Sequence, residues 1–400
     1  MKKIIKNLFI IAFVGFLTLT LSCTVLLSAE DFKSDARTIR KSEEYKSSNK
    51  LERINLLAKS IESTLNKKIF LKDNYIDIYG LFQKVLQKKV VHEGDTSLTV
   101  IKEKNGLLTA SYPVGNITNY TKKLNSLADF SKENNIYFLY IKVPWRNTDD
   151  SLPFYIKDNC QDTSDRLVAS FNDNVNVLDL EELLPKEKEK LFFKTDHHWN
   201  TETAFASYQH IIKDLDSKLD LNLTDKYLND YDFKTYKNIF LGTYGKRTGK
   251  YYGGWDDFTY ITPKFETNLQ VINYRNVGKV EDVRKGSFAD TLTYPEFLDK
   301  DLDRDLSVYY TYGKGTKAEV NITNLMPYNN KKLLILKDSY ADIVYPFLSL
   351  NFKQTKVVDV RRYRAIHLFR YINKYQPDAI IFLQSPLDLY TEDLINFQEK

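Results

Sequence analysis

From residue 118 onward, apolar positions along this chain alternate between two patterns. Thr118 to Lys132 repeats its apolar residues at helical spacing, and Ile136 to Val143 follows as an almost unbroken apolar run closed by Pro144. A run without polar alternation predicts a strand covered on both faces. Val175 to Leu180 predicts a second strand, and Asn200 to Leu215 predicts a helix. The alternation resumes at Lys331 with strand 332–336, helix 340–350, strand 355–360, helix 364–374 and strand 378–383. Strands separated by helices imply an α/β fold with a mainly parallel sheet and helices on both of its faces, three layers in all. Residues 220–325 differ. Gly, Tyr and Thr dominate there, which predicts a loop-rich, β-leaning insertion into a domain spanning 116–400.

The amino-terminal part follows other rules. Three lysines (2, 3 and 6) precede an uncharged run from Leu8 to Ala29, about the ~20 residues that a membrane-spanning helix needs. A cleaved signal sequence usually has a shorter apolar region, so 1–29 reads as an anchor in preference to a signal peptide. Lysines before the span predict an extracytoplasmic remainder, held by this helix or secreted if the segment is cleaved. Cys23 after Ser22 leaves lipoprotein acylation as a further option, although Thr20 stands where an aliphatic residue is expected. Residues 30–50 are polar without apolar period and read as a tether. In 51–115, Ile54, Leu57, Ala58, Ile61 and Leu65 mark an amphipathic helix, Tyr79 to Leu86 a second, and 97–114 a strand–turn pair around Asn105-Gly106.

Composition narrows the function classes. Four hundred residues suffice for a real core. The formal charge of +5 rests partly on the leader: 58 basic residues less Lys2, Lys3 and Lys6 leave 55 against 53 acidic ones, a net of +2. So weak a balance argues against a nucleic-acid-binding face. Only Cys160 remains beyond the apolar segment, which excludes an intramolecular disulfide there.

Two segments carry chemistry. Lys194-Thr195-Asp196-His197-His198-Trp199 places an acid and an imidazole two residues apart, and the apolar strand 332–336 ends at Lys337-Asp338-Ser339-Tyr340. A serine at a tight strand-to-helix turn has the geometry of a nucleophile elbow. Its plainer reading is a helix cap by Asp338 or Ser339. Asp196 would orient the imidazole, His198 would act as base, Ser339 would attack, and His197 would be structural. Metal binding by both histidines and an aspartate is the competing reading, though no H-x-x-x-H or H-E-x-x-H pattern is present. Trp199 reads as packing. In the insertion, Tyr244, Tyr251, Tyr252 and Trp255 offer flat rings for sugar faces, with Arg247 and Lys250 near them for acidic groups. Glycine-rich aromatic stretches are more often turns and packing. Arg361, after strand 355–360, is a candidate site residue or a structural partner of Asp359.

Thr195-Asp196-His197-His198-Trp199 followed by Lys337-Asp338-Ser339-Tyr340 resembles the DHHW family of exported bacterial proteins, related to the SGNH-hydrolase-like alginate O-acetyltransferases. The resemblance covers about residues 65–400. It implies a triad of Asp196, His198 and Ser339. Lys337 stands where that family commonly has glycine. In ordinary SGNH enzymes the serine strand comes first and the acid–base block last, so the order here implies a circularly permuted SGNH-like fold. Gln384 or Ser385 then takes the place of the oxyanion loop, or forms only a turn after the last strand.

The family further implies an extracytoplasmic O-acetyltransferase or acetylesterase acting on a cell-surface or secreted polysaccharide through an acetyl-serine. It implies a polytopic membrane O-acyltransferase as acetyl donor; no cofactor and no metal are expected from the residues themselves. A non-catalytic polysaccharide-binding scaffold of the same fold and, further off, a metal-dependent hydrolase are the rival expectations.

Overall fold

A computed structural model of the chain describes residues 2–93, 95–148, 150–276, 278–299, 302–362 and 367–390. The chain divides into two compact units, 1–79 and 80–400, with the boundary inside the helix Lys72–Val85.

In the first unit the helix Lys2–Leu27 carries the stretch Ile10–Leu27, long and apolar enough to cross a membrane at a mean hydropathy of 2.4. Residues 30–50, expected to be a tether, are instead helical over Ala29–Lys41 and Glu43–Ser47. Phe32 and Ala36 supply the i, i+4 apolar pair that the polar composition hides, and together with Leu21, Val25, Ile61 and Leu65 they line a cavity of about 470 Å³. Thr64 Oγ1 donates to Asp35 at 2.7 Å, tying this helix to Lys50–Lys68. That longer helix opens on a capping box made by Asn49 and Glu52.

The second unit is built on an eight-stranded sheet. Its strands in chain order are β1 (Tyr137–Lys142), β2 (Asn176–Asp179), β3 (Leu269–Asn276), β4 (Lys279–Gly286), β5 (Glu319–Asn324), β6 (Lys332–Lys337), β7 (Gln354–Asp359) and β8 (Ala379–Gln384). The spatial order is β2-β1-β8-β6-β7-β5-β3-β4. From β2 to β7 all pairings are parallel. Side chains on β6 alternate between two cores, as period two requires. Leu333 and Ile335 join the core that contains the helices Thr201–Leu219 and Val344–Ser349. Leu334 and Leu336 join the core under Thr118–Glu133 and Leu368–Tyr375. The start of the expected helix 364–374 lies, over 364–366, outside the described residues.

The insertion 220–325 does more than loop out. Its strands β3, β4 and β5 extend the sheet in antiparallel fashion. A separate antiparallel ribbon, Tyr231–Phe240 with Asp256–Pro263, packs Tyr231, Phe240, Phe258 and Ile261 into the same core as Leu333. Before β1, the turn at Asn105-Gly106 joins Asp95–Lys102 to Leu108–Thr109 in a three-stranded sheet completed by Val90–Glu93. Gly106, at φ +92°, takes a backbone region that a side chain would strain.

Candidate active site

β6 ends at Lys337 and the chain turns at once into a short 3₁₀ helix, Ser339–Asp342. Asp338 caps that helix: its Oδ1 accepts from the Tyr340 N–H at 2.8 Å, and its Oδ2 accepts from the Ser385 N–H at 2.8 Å. One carboxylate therefore fixes the serine turn against the end of β8. Lys337, in the position where glycine is common, is buried and donates to Asp342, which also accepts from Thr316 Oγ1 at 3.1 Å. Ser339 stays partly exposed. The lysine is thus accommodated within the turn by a paired charge.

The Asp196 loop is closed by an antiparallel bridge between Phe192 and Trp199, and Asn200 then caps the helix Thr201–Leu219. Inside the loop almost every polar group has a partner. Asp256, from the two-stranded ribbon, accepts from the Lys194 N–H at 2.6 Å, from the Thr195 N–H at 2.8 Å and from Thr195 Oγ1. Buried Arg146, just past β1, donates to the carbonyls of Asp196 and Phe193. Tyr340 Oη donates to the His197 carbonyl. Gly242 packs so closely that a Cβ there would stand 2.2 Å from Asp196 Cβ.

The loop and the turn meet in a hydrogen-bonded relay. Ser339 Oγ lies 2.9 Å from His198 Nε2, and His198 Nδ1 lies 2.6 Å from Asp196 Oδ1. The same Asp196 oxygen accepts from the His198 N–H at 3.0 Å. Asp196 Oδ2 accepts from the Thr243 N–H at 2.7 Å and from Thr243 Oγ1 at 3.0 Å. Burial opposes the charge on Asp196, but the imidazoles of His197 and His198 and these hydrogen bonds hold its pKa well below the usual carboxylate range. An ionised acid on Nδ1 leaves the Nε2 lone pair facing the serine, the tautomer a general base needs.

His197 packs its ring on His198 at 3.8 Å, with burial and then the neighbouring imidazole pushing its pKa down to about 3. Asp196, His197 and His198 have ligand atoms within 4.8 Å of one another, a set that could gather a metal ion. Both nitrogens of His198 are engaged by Asp196 and Ser339, so a metal on that ring must break the relay. Trp199 is fully buried, donating to the Tyr340 carbonyl at 3.1 Å.

The remaining candidates disperse. Tyr244 and Tyr252 are buried, the first under the Arg146 guanidinium and the second donating to the Lys88 carbonyl at 2.7 Å. Neither offers a ring face to a sugar, because the insertion folds them inward to pack. Tyr251 is exposed, while Trp255 is half-buried against Lys246, Asp303 and Arg304. Arg247 lies close enough to His197 and Tyr244 to act on both electrostatically. Arg361 forms a bidentate pair with Asp359, at 3.0 and 2.8 Å, with Asp388 at 3.7 Å. Such a fork already has its carboxylate. The Ser385 N–H belongs to Asp338, and Ser385 Oγ accepts from the Leu387 N–H at 3.1 Å. Gln384 differs: it is buried, and neither its Nε2 nor its Oε1 has a hydrogen-bond partner.

Three supporting residues escaped the sequence reading: Arg146, Thr243 and Asp256. Arg146 sits just beyond the carboxyl end of a buried parallel strand, a position that itself marks sites in open α/β sheets. Gly242-Thr243 had the signal of a glycine needed for close backbone approach.

Residues 109–237 match a family model described as SGNH hydrolase-like domain, acetyltransferase AlgX. No curated protein matches. Among solved structures, Bacillus cereus PatB1 with a sulfonyl adduct superposes at a TM-score of 0.62 and 22% identity, over 78% of this chain and 99% of that one. A DHHW family protein from Eubacterium siraeum superposes at 0.58 and 18% identity, over 78% of this chain and 98% of its own. The motifs around Asp196 and Ser339 and these likenesses converge on one architecture, and the chain carries an SGNH hydrolase-like domain with a mainly parallel α/β sheet.

Proposed function

We propose that this protein is an extracytoplasmic serine-dependent O-acetyltransferase acting on a polysaccharide, with acetylesterase activity as the variant in which water is the acceptor. The observation that carries it is the relay Asp196–His198–Ser339 with its 2.6 and 2.9 Å contacts. Ser339 Oγ bonds to the acetyl carbon of the donor while its proton passes to His198 Nε2. The tetrahedral adduct collapses, and the departing donor oxygen takes that proton, leaving acetyl-Ser339. A sugar hydroxyl then gives its proton to His198 and attacks the acetyl carbon, and Ser339 leaves reprotonated. The ionised Asp196 stabilises the imidazolium formed in each half. The oxyanion needs a donor, and the partnerless amide of Gln384 at the end of β8, beside the serine strand, is the candidate.

The family description of residues 109–237 supports acetyl transfer as the reaction. The apolar helix Lys2–Leu27 supports a signal or an anchor, with the catalytic unit outside the cytoplasm. A polytopic membrane O-acyltransferase would deliver the acetyl group there, as the DHHW resemblance implies. The test is incubation with a chromogenic acetyl ester and intact-mass analysis of the protein. Turnover and an acetyl adduct that vanish in Ser339→Ala and ignore chelators support this reading. Activity lost to a chelator and restored by zinc replaces it with a metal hydrolase. Glycan binding with neither turnover nor adduct, whatever the acyl donor, replaces it with a scaffold.

A further inference from the structure

Tyr309 belongs to no motif, yet it touches two members of the relay at once. It sits on a short 3₁₀ helix, Val308–Thr311, in the insertion. Its ring lies on the His198 imidazole with centroids 4.1 Å apart and planes 18° from parallel. Its hydroxyl donates to the Ser339 carbonyl at 3.1 Å. The residue is 4% exposed, and Phe193 stands edge-on to its ring at 6.5 Å. A buried ring wedged in this way has little freedom to move.

We infer that Tyr309 is a positioning residue for the relay, holding the His198 ring by its face and the serine turn by its hydroxyl. The inference rests on the acyl-transfer reading and adds to it a differential effect. Neutral imidazole gains only packing from a ring face. The imidazolium formed during reaction gains a cation–π attraction as well, so the contact strengthens as the barrier is climbed. Burial, then the carboxylates of Asp342, Asp196 and Asp338 and the hydroxyl of Tyr340, keep the Tyr309 hydroxyl protonated far above neutral pH, so it remains a donor throughout.

Other charged or titratable groups also act around His198. Asp196 bonds Nδ1, Ser339 meets Nε2, the His197 ring lies at 3.8 Å and the Tyr340 ring at 5.2 Å. Arg146 reaches the loop carbonyls, Arg247 acts on His197, and Lys246 lies within electrostatic reach of Asp196. These groups are common to wild type and Tyr309 variants, so a difference in pH profile isolates the tyrosine.

The probe is phenylmethylsulfonyl fluoride, which needs no knowledge of the natural donor. Ser339 Oγ bonds sulfur, fluoride leaves, and the serine proton passes to His198. The rate of sulfonylation is followed by mass across pH 4–9 for wild type and for Tyr309→Phe, Tyr309→Leu and Tyr309→Trp, with Ser339→Ala as control. Tyr309→Leu is expected to react about 10-fold more slowly, with its acid limb moved to lower pH because the imidazolium has lost its ring. Tyr309→Phe is expected to keep the limb and lose about two- to threefold in rate. Tyr309→Trp, which enlarges the ring face, keeps the limb or raises it, and serves if the leucine variant does not fold. A leucine or tryptophan variant with the wild-type rate and limb overturns the inference. So does a slower rate with an unmoved limb in the leucine variant, or a lowered limb in the tryptophan one. Wild type that fails to label at Ser339 removes the acyl-transfer reading itself, and the inference with it.

Discussion

Two segments flank the serine turn, and they are built in opposite ways. The loop from Phe193 to His198 is densely paired: Asp256, Arg146, Thr243 and Tyr340 bond to amides, carbonyls and side chains along it. The segment from Gln384 to Asp388 buries the whole Gln384 amide and Asp388 Oδ2 without hydrogen-bond partners. Buried polar groups are normally paired, and a lone one costs about 1–3 kcal/mol. The contrast teaches a division of labour. On the proposed reading, the acid–base side would be set before any substrate arrives, whereas the far side would keep hydrogen-bonding capacity for a group formed only during reaction.

The strongest attack on this comparison goes through the densely paired side. Ser339→Ala and His198→Ala should each lower acetyl-ester turnover about 10⁴-fold or more, and the double variant should fall no further than either. Losses that multiply in the double variant would mean that the two do not act as a unit. Asp196→Asn should cost about 10³- to 10⁴-fold while the fold is kept, because an amide no longer selects the Nδ1–H tautomer.

On the open side, Gln384→Leu should lower kcat about 10²-fold with an unchanged or higher melting temperature, since it removes an unsatisfied amide. Wild-type kcat in that variant strips the open side of its chemical meaning. Asp256→Ala should lower kcat about 10- to 100-fold and stability by about 2–4 kcal/mol, because it strands the Lys194 and Thr195 amides. Thermal melts and kinetics on one preparation separate the two effects.

The smallest effect concerns acid. His197, at about 3 in the fold, takes up its proton near pH 6.5 when unfolded. The unfolded chain therefore binds more protons between those values, and stability falls as pH drops through that window. Asp196 is displaced downward and acts only below the ordinary carboxylate pKa, near 4. Asp388, raised first by burial and then by Asp338, pulls the other way. The His197 contribution is thus the difference in slope of melting temperature against pH between wild type and His197→Asn. Parallel curves from pH 4 to 6.5 would remove it.

The parallel half of the sheet was legible because β1, β6 and β8 are buried at nearly every position and read as apolar runs, while β7 was marked by Val357 and Val358. β3 was not, since it alternates buried and half-buried positions and sits among Gly- and Tyr-rich turns that dilute the pattern. The helix Ala29–Lys41 was misread because its apolar face is only one residue wide per turn. At the candidate site, the meeting of Asp196, His198 and Ser339 could be expected because chemistry restricts which residue types can form such a relay. Asp256, Arg146 and Tyr309 act through hydrogen bonds and ring contacts set by distant parts of the chain. Nothing in the local sequence of Asp256 or Tyr309 marks that contact, and Arg146 had only its place at a strand end. Tyr244 and Tyr252 show the reverse error, since composition cannot tell a ring that packs inward from one that faces solvent.

The serine strand β6 lies between β8 and β7, and both follow it along the chain. A fragment that stops before residue 379 therefore keeps Asp196, His198 and Ser339 but lacks one of the two ladders that hold the serine strand in register. Nicked or prematurely terminated copies of that kind should leave β6 with one edge unpaired, open to proteases and to backbone hydrogen exchange.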